Sequence, residues 1–136
     1  ESHRDEYYER LLAVSSDGDW TGWCRFFLEA LKAQAEENQL KAAEILALYE
    51  RMKRVLADLT RSHYAIHALD WIFDRPIFKS SDFVASSGIP VPTARRIVPA
   101  LREAGVLRVL LDASGRRAAT LCFPALLNIA EGREAF

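Results

Sequence analysis

The stretch 88-GIPVPTARRIVPALREAGVLRVLLDASGRRAATLCF-123 decides the fold. Its first part predicts a helix from about residue 91 to residue 103. Pro92 suits the first turn of a helix, and Gly105 suits the position just after a helix ends. Pro99 falls inside this helix, where it removes one backbone hydrogen bond, so we expect a short or kinked helix.

Two apolar runs follow this helix, 106-VLRVLLD-112 and 117-RAATLCF-123. The residues between them, 113-ASGR-116, favour a turn, so the runs are predicted to pair as a β-hairpin.

Further short helices are predicted on both sides of this region. One covers 61-RSHYAIHALDWIF-73, and another covers 80-SSDFVASSG-88 with Ser80 or Ser81 as its N-cap. A last one covers 124-PALLNIAEG-132, with a proline in its first turn.

The order of helix, helix, helix and hairpin is the layout of a winged helix-turn-helix, to which we assign residues 61–132. Residues 1–60 show helical periodicity, broken at 15-SSDGD-19, after which Asp19 is predicted to cap a new helix. At 36-EEN-38 the pattern fits either a break or a continuation. The predicted fold is therefore mainly α: an N-terminal helical bundle segment, then a winged helix-turn-helix with a small β-hairpin.

Composition and charge restrict the class of protein. Half of the residues are hydrophobic and 27% are charged, as in globular proteins and unlike disordered ones. Residues 1–60 carry 8 basic and 12 acidic residues, whereas residues 61–136 carry 10 and 7. A nucleic-acid or acidic partner is therefore expected to contact the second half.

Cysteine spacing and hydropathy indicate a compartment. Cys24 and Cys122 are far apart and neither belongs to a CxxC pair, which fits reduced thiols in a cytoplasmic protein. No apolar run approaches the ~20 residues that a membrane helix needs, so no membrane partner is expected. The chain begins without Met inside a helical pattern, and we interpret it as part of a longer protein.

The candidate DNA- or partner-binding residues lie on the helix at 91–103 and on the hairpin: Thr93, Arg95, Arg96, Arg102, Arg108, Arg116 and Arg117. Arginines early in a recognition helix can pair with guanine, and arginines at a hairpin tip can reach phosphates or the minor groove. The small excess of basic over acidic residues and the proline at position 99 argue against DNA as the partner. Both DNA and protein therefore stay open as partners.

Two other groups of residues have helical spacing. His63, His67 and Asp70 could share one helix face and hold a metal, but a full ligand set is absent, so we predict no metal site. The run W-x-x-W-x-x-F-F is predicted to be a packing face, against a catalytic core or a dimer partner, formed by Trp20, Trp23, Phe26 and Phe27.

The first block of the chain resembles the segment that follows the catalytic core in Fic (filamentation induced by cAMP) proteins. The matching features are R-x-x-Y-Y-x-x-L at residues 4–11, GDW at 18–20 and W-x-x-F-F-L at 23–28. The resemblance continues through 44-EILALYERMKRVL-56 into "PTARR…LREAGVL", which is similar to the winged-helix tail of many bacterial members.

This resemblance implies a parent enzyme that transfers AMP or another nucleotide moiety to protein hydroxyls, with ATP and Mg²⁺ as cofactors. The family's H-P-F-x-x-G-N-G-R motif is absent here, so no catalytic residue or cofactor is expected in this chain. Residues 1–60 would complete the helical bundle behind an upstream catalytic domain, in a homodimer. The alternative is a free-standing dimeric winged-helix transcription regulator that binds DNA.

Overall fold

A computed structural model describes residues 4–115 and 117–136. The described part is mainly α, with six helices, 70% helical content and a small three-stranded antiparallel sheet, which confirms the predicted class. In chain order the elements are α1 (Arg4–Asp17), α2 (Trp20–Thr60), α3 (Ala65–Asp74), β1 (Ile77–Lys79), α4 (Ser80–Ser86), α5 (Val91–Glu103), β2 (Arg108–Leu111), β3 (Thr120–Cys122) and α6 (Pro124–Glu131).

The chain divides into two compact units, Glu1–Leu40 and Lys41–Phe136. This division lies inside α2, whereas the predicted domain boundary lies between residues 60 and 61. The physical reason is burial, because Leu48, Met52 and Leu56 of α2 belong to the hydrophobic core of the second unit.

The helix α2 runs without interruption through 36-EEN-38. The sequence allowed either a break or a continuation at these residues, and the structure shows the continuation. No proline or glycine lies between Gly22 and Pro76, and side chains four residues apart support the exposed surface, such as Gln34 and Asn38 at 3.1 Å.

The first unit contains α1 and the start of α2. Asp19 caps α2 as predicted, since its Oδ1 accepts a hydrogen bond from the backbone N–H of Gly22 at 2.9 Å. Gly22 has no Cβ, and a Cβ there would displace the Asp19 carboxylate from its present position, so glycine accommodates this close approach. Tyr7 of α1 contacts Trp23 of α2 edge-to-face, with ring centroids 5.3 Å apart.

The second unit has a well-defined core. Helices α2, α3, α5 and α6 contribute apolar side chains, and the aromatic rings of Trp71, Phe78 and Phe83 form a cluster at its centre. Their centroids lie 5.0 to 6.0 Å apart, with Trp71 edge-on to both phenylalanines. This cluster joins α3, β1 and α4, which are short elements that cannot bury much surface separately.

The sheet has the strand order β1-β3-β2, with all neighbours antiparallel. The hairpin of β2 and β3 was predicted, but β1 was missed. In the central strand, Leu121 is paired with Phe78 of β1 on one side and with Val109 of β2 on the other. A register shift interrupts the β2–β3 pairing between Val109 and Leu111.

The start of α4 differs from the prediction. Neither Ser80 nor Ser81 caps this helix: the N-cap position is Lys79, which makes no side-chain cap hydrogen bond. The backbone N–H of Ser80 instead donates to the carbonyl oxygen of Ala119 at 2.9 Å, next to the sheet. Strand pairing therefore fixes where α4 begins.

The helix α5 has the predicted bounds and continues through Pro99 to Glu103. Pro99 therefore does not end the helix. Pro99 is exposed, and it leaves the Arg95 carbonyl oxygen without its usual amide donor. Gly105 follows the helix with a φ of +73°, a left-handed conformation that glycine adopts without strain.

Across the described residues, no helix combines the length and apolar character required to span a bilayer.

Candidate functional site

The helix α5 has one buried and one exposed face. Its buried stripe follows helical spacing and consists of Ala94, Ile97, Val98 and Leu101. Its exposed residues include Arg95, Arg96, Pro99 and Arg102, while Thr93 is half-buried. Because the buried stripe holds α5 against the core, the arginines are presented to solvent by a firmly anchored helix.

A cleft of about 460 Å³ lies between α4 and α5. Arg95, Pro99 and Arg102 line it from α5, and Ser80 and Ser81 line it from α4. The Ser81 hydroxyl donates to Asp82 Oδ1 at 3.1 Å. The same cleft is also lined by apolar residues, including Val84 and Ala118. Its two guanidinium groups are the donors suited to anionic oxygen atoms.

A second cleft of about 570 Å³ lies between α5 and β2. Pro99 and Arg102 line this cleft too, together with Glu103 and Arg108. Of the predicted residues, the structure therefore brings Arg95, Arg102 and Arg108 to two clefts that have residues in common. Arg96 lines neither of them.

These arginines have no acidic partner among the described residues. Ion pairs of residues 4–115 and 117–136 include those of Arg10 with Glu6, Lys32 with Glu36, Lys53 with Glu50 and Arg75 with Asp74. None of them involves Arg95, Arg96, Arg102 or Arg108. The positive charge of α5 and β2 is therefore available to an external anion.

The hairpin turn is closed by its own hydrogen bonds. Ser114 and Arg117 exchange two backbone hydrogen bonds of 2.9 and 3.1 Å, which close the turn. The Arg117 guanidinium donates to the Asp112 carbonyl oxygen at 3.4 Å, so part of its hydrogen-bonding capacity is used within the loop. Arg116 lies outside the described residues.

The structure separates the three residues of the alternative metal site. His67 Nε2 lies 2.6 Å from the Ser87 carbonyl oxygen, and Asp70 Oδ1 accepts a hydrogen bond from the Tyr49 hydroxyl at 2.5 Å. His63 is exposed. No three His, Cys, Asp or Glu side chains in the described part of the chain are grouped as metal ligands would be.

The bond to Asp70 has an electrostatic consequence for Tyr49. The hydrogen bond to the Asp70 carboxylate, followed by burial, raises the pKa of Tyr49 above its ordinary value. Since the phenol donates from α2 to a carboxylate on α3, this contact links two helices of the second unit.

The aromatic run at residues 20–27 is divided by the structure. Trp23 contacts Tyr7 and Phe26, with ring centroids 5.3 and 6.1 Å apart. Trp20 and Phe27 are exposed. The predicted packing face therefore packs only in part inside the first unit.

Sequence analysis missed Ser80, Ser81 and Pro99 as residues that line the clefts. Pro99 was treated only as a helix breaker, and the two serines only as caps. The spacing of Arg95, Pro99 and Arg102 at i, i+4 and i+7 was a usable signal, because these positions share one helix face.

The phosphate- and metal-binding motif of Fic proteins is absent from the sequence, so no nucleotide chemistry is assigned to these side chains. A scan against models of known protein families finds no match to this chain.

Proposed function

We propose that residues 41–136 contain a winged helix-turn-helix whose exposed α5 face binds duplex DNA. The observation that carries this proposal is the set of unpaired arginines on α5, opposite a stripe that anchors the helix to the core. An exposed helix with unpaired arginines suits the major groove, where Arg recognises guanine and phosphates.

The order of elements supports the winged-helix assignment. The segment α3, β1, α4 and α5 is followed by the β2–β3 hairpin, and β1 completes a three-stranded sheet. In this arrangement α5 is the recognition helix and the loop containing Arg117 is the wing.

Charge supports DNA over protein as the partner of α5. Residues 75–117 contain eight basic residues and three acidic ones, although the whole chain has a net charge of −1. A polyanion such as DNA would be attracted to this local excess of positive charge. A protein partner is the second candidate, since Val91 and Pro99 add apolar surface to the same helix.

Binding to short mixed-sequence duplexes tests the proposal by fluorescence anisotropy at two salt concentrations. We expect the wild type to bind, with affinity falling steeply as salt rises. Arg95→Ala and Arg102→Ala should each weaken binding by about tenfold. The matched control is Arg54→Ala, an exposed arginine on α2, which should leave binding nearly unchanged. Absence of binding, or equal losses in all three variants, would exclude the α5 face as a DNA-binding surface.

We also propose that the chain is the C-terminal, non-catalytic part of a Fic-type protein nucleotidyltransferase. The resemblance of residues 2–36 to the post-catalytic helices of that family supports this assignment. A further support is that no residue between 4 and 40 is buried, although Leu12, Trp20 and Leu28 are large and apolar. Such side chains are expected to pack on a catalytic core or on a dimer partner.

The reading frame before residue 1 distinguishes this parent enzyme from the free-standing regulator. An H-P-F-x-x-G-N-G-R motif encoded there would support the Fic assignment, and its absence would favour a dimeric transcription regulator. AMP transfer from ATP, measured on this chain alone, should be undetectable. Robust transfer would contradict a non-catalytic role.

A further inference from the structure

The two clefts beside α5 meet at the same two residues. Pro99 and Arg102 line both the cleft against α4 and the cleft against β2. Each cleft is several hundred cubic ångströms in volume, and the two adjoin at Pro99 and Arg102; we call the adjoining clefts, from Ser80 and Arg95 to Arg108, the groove.

The groove carries positive charge along its length. Arg95 lines one end, Arg102 the junction and Arg108 the other end, and Glu103 is the acidic residue beside them. In the described part of the chain, none of the three arginines is ion-paired. The Ser80 hydroxyl adds a neutral donor at the α4 end, of the kind that contacts phosphate oxygens.

The spacing of these charges suits a polymer. Arg95 and Arg102 are two helical turns apart, or about 10 Å along the axis of α5. Arg108 lies on β2 and lines the same cleft as Arg102. Charges in a row at such distances match the recurring phosphates of a nucleic-acid strand better than one small anion.

Pro99 occupies the junction of the groove. It lies four residues after Arg95 and three before Arg102, on the same face of α5. Its ring is compact, uncharged and fixed to the backbone, so it cannot extend across the groove as a longer side chain would. With proline at this position, the junction of the groove therefore carries no long side chain.

We propose that this groove holds one sugar–phosphate strand, with Arg95, Arg102 and Arg108 on phosphates and Pro99 keeping the junction open. Arg96, which is exposed and lines neither cleft, is left to contact bases. This inference rests on the proposed DNA-binding function. It adds which arginines position the strand and which one reads sequence.

Salt dependence separates these roles. With a duplex selected from a random pool, the slope of log affinity against log salt should fall by about 1 in Arg95→Gln, Arg102→Gln and Arg108→Gln. Affinity for other sequences should fall in parallel, because phosphate contacts carry no sequence information. Arg96→Gln should instead reduce the affinity ratio between selected and unselected duplexes, about tenfold.

Pro99 is tested with two variants that both restore a backbone N–H. Pro99→Glu should bind the duplex at least about tenfold more weakly than Pro99→Ala, because a long acidic side chain enters the groove. Ala57→Glu adds the same charge at an exposed position of α2 and serves as the matched control. Circular dichroism confirms that each variant is folded.

The outcomes distinguish the inference from the function on which it rests. If the wild type binds no duplex, the proposed DNA-binding function fails. If the wild type binds, but the three slopes are unchanged or Pro99→Glu matches Pro99→Ala, the groove proposal fails alone. A short acidic polypeptide that competes as well as DNA at equal charge would also overturn it, in favour of a protein partner.

Discussion

The two units of this chain are both rich in helix but differ in burial. In the first unit no described residue is buried, and Leu12 retains 68% of its accessible surface. In the second unit Leu101 retains none, and helices and strands distant in sequence share one core. Local sequence is sufficient to form a capped helix, whereas a core requires long-range packing. The first unit therefore covers little apolar surface among its own described residues.

The two cysteines provide the largest expected contrast between the units. Cys24 is exposed, whereas Cys122 is fully buried, and burial raises the pKa of the Cys122 thiol. We expect Cys122 to react with N-ethylmaleimide at least about a thousandfold more slowly than Cys24, since its reaction requires the core to open. Mass spectrometry of labelled peptides measures both rates. In denaturant the two rates should converge, and comparable rates in the native protein would mean that the second unit has no stable core.

Matched leucine truncations give the next largest difference. Leu101→Ala should lower the free energy of unfolding of the second unit by about 2–5 kcal/mol, because it leaves a cavity in a packed core. Leu12→Ala removes the same atoms from an exposed position and should change the free energy of unfolding by less than about 0.5 kcal/mol. Urea denaturation followed by circular dichroism compares them. Equal effects would contradict the difference in packing between the units.

The cap of α2 tests the local stability of the first unit. Asp19→Ala removes the hydrogen bond to the Gly22 amide and should destabilise the start of α2 by about 1 kcal/mol. Amide hydrogen exchange of residues 20–24 reports this loss, while exchange in α5 should not change. Asp17→Ala removes the same charge from the end of α1 and is the control. If the amides of residues 20–24 exchange at the same rate in both variants, the Asp19 side chain does not stabilise this helix end.

The bond between Tyr49 and Asp70 gives a smaller effect that depends on pH. The pKa of the Tyr49 phenol is raised in the folded state, so the protonated phenol stabilises the fold. This stabilisation is complete below the unfolded pKa of about 10 and is lost as pH rises through the higher folded pKa. The decrease in the urea midpoint from about pH 8 to about pH 11 should therefore be smaller in Tyr49→Phe than in the wild type. An identical fall would show that another group controls the alkaline transition.

Much of the second unit could be predicted from single residues. Pro92 and Gly105 mark the ends of α5, and the spacing of Ala94, Ile97 and Leu101 gives its buried face. The strand β1 could not be predicted, because its three residues show no alternation by themselves. It exists because Phe78 is paired with Leu121, more than forty positions away in the sequence.

The candidate site was predictable as a set of residue types but not as a shape. Arg95 and Arg102 were found from their place on a helix, whereas the clefts depend on how α4 and β2 lie beside that helix. The N-cap expected at Ser80 failed for the same reason, since a hydrogen bond to Ala119 decides where α4 begins. Local patterns predict helix faces, and long-range pairing decides what lies opposite them.

The register shift in β2 has a consequence for association between copies of the chain. Strand β2 is at the edge of the sheet, with Leu110 and Leu111 exposed beside unpaired backbone groups. A regular apolar edge of this kind is a template for strands of other molecules, and a bulge makes it irregular. Between Val109 and Leu111 the shift therefore protects the protein against edge-to-edge aggregation.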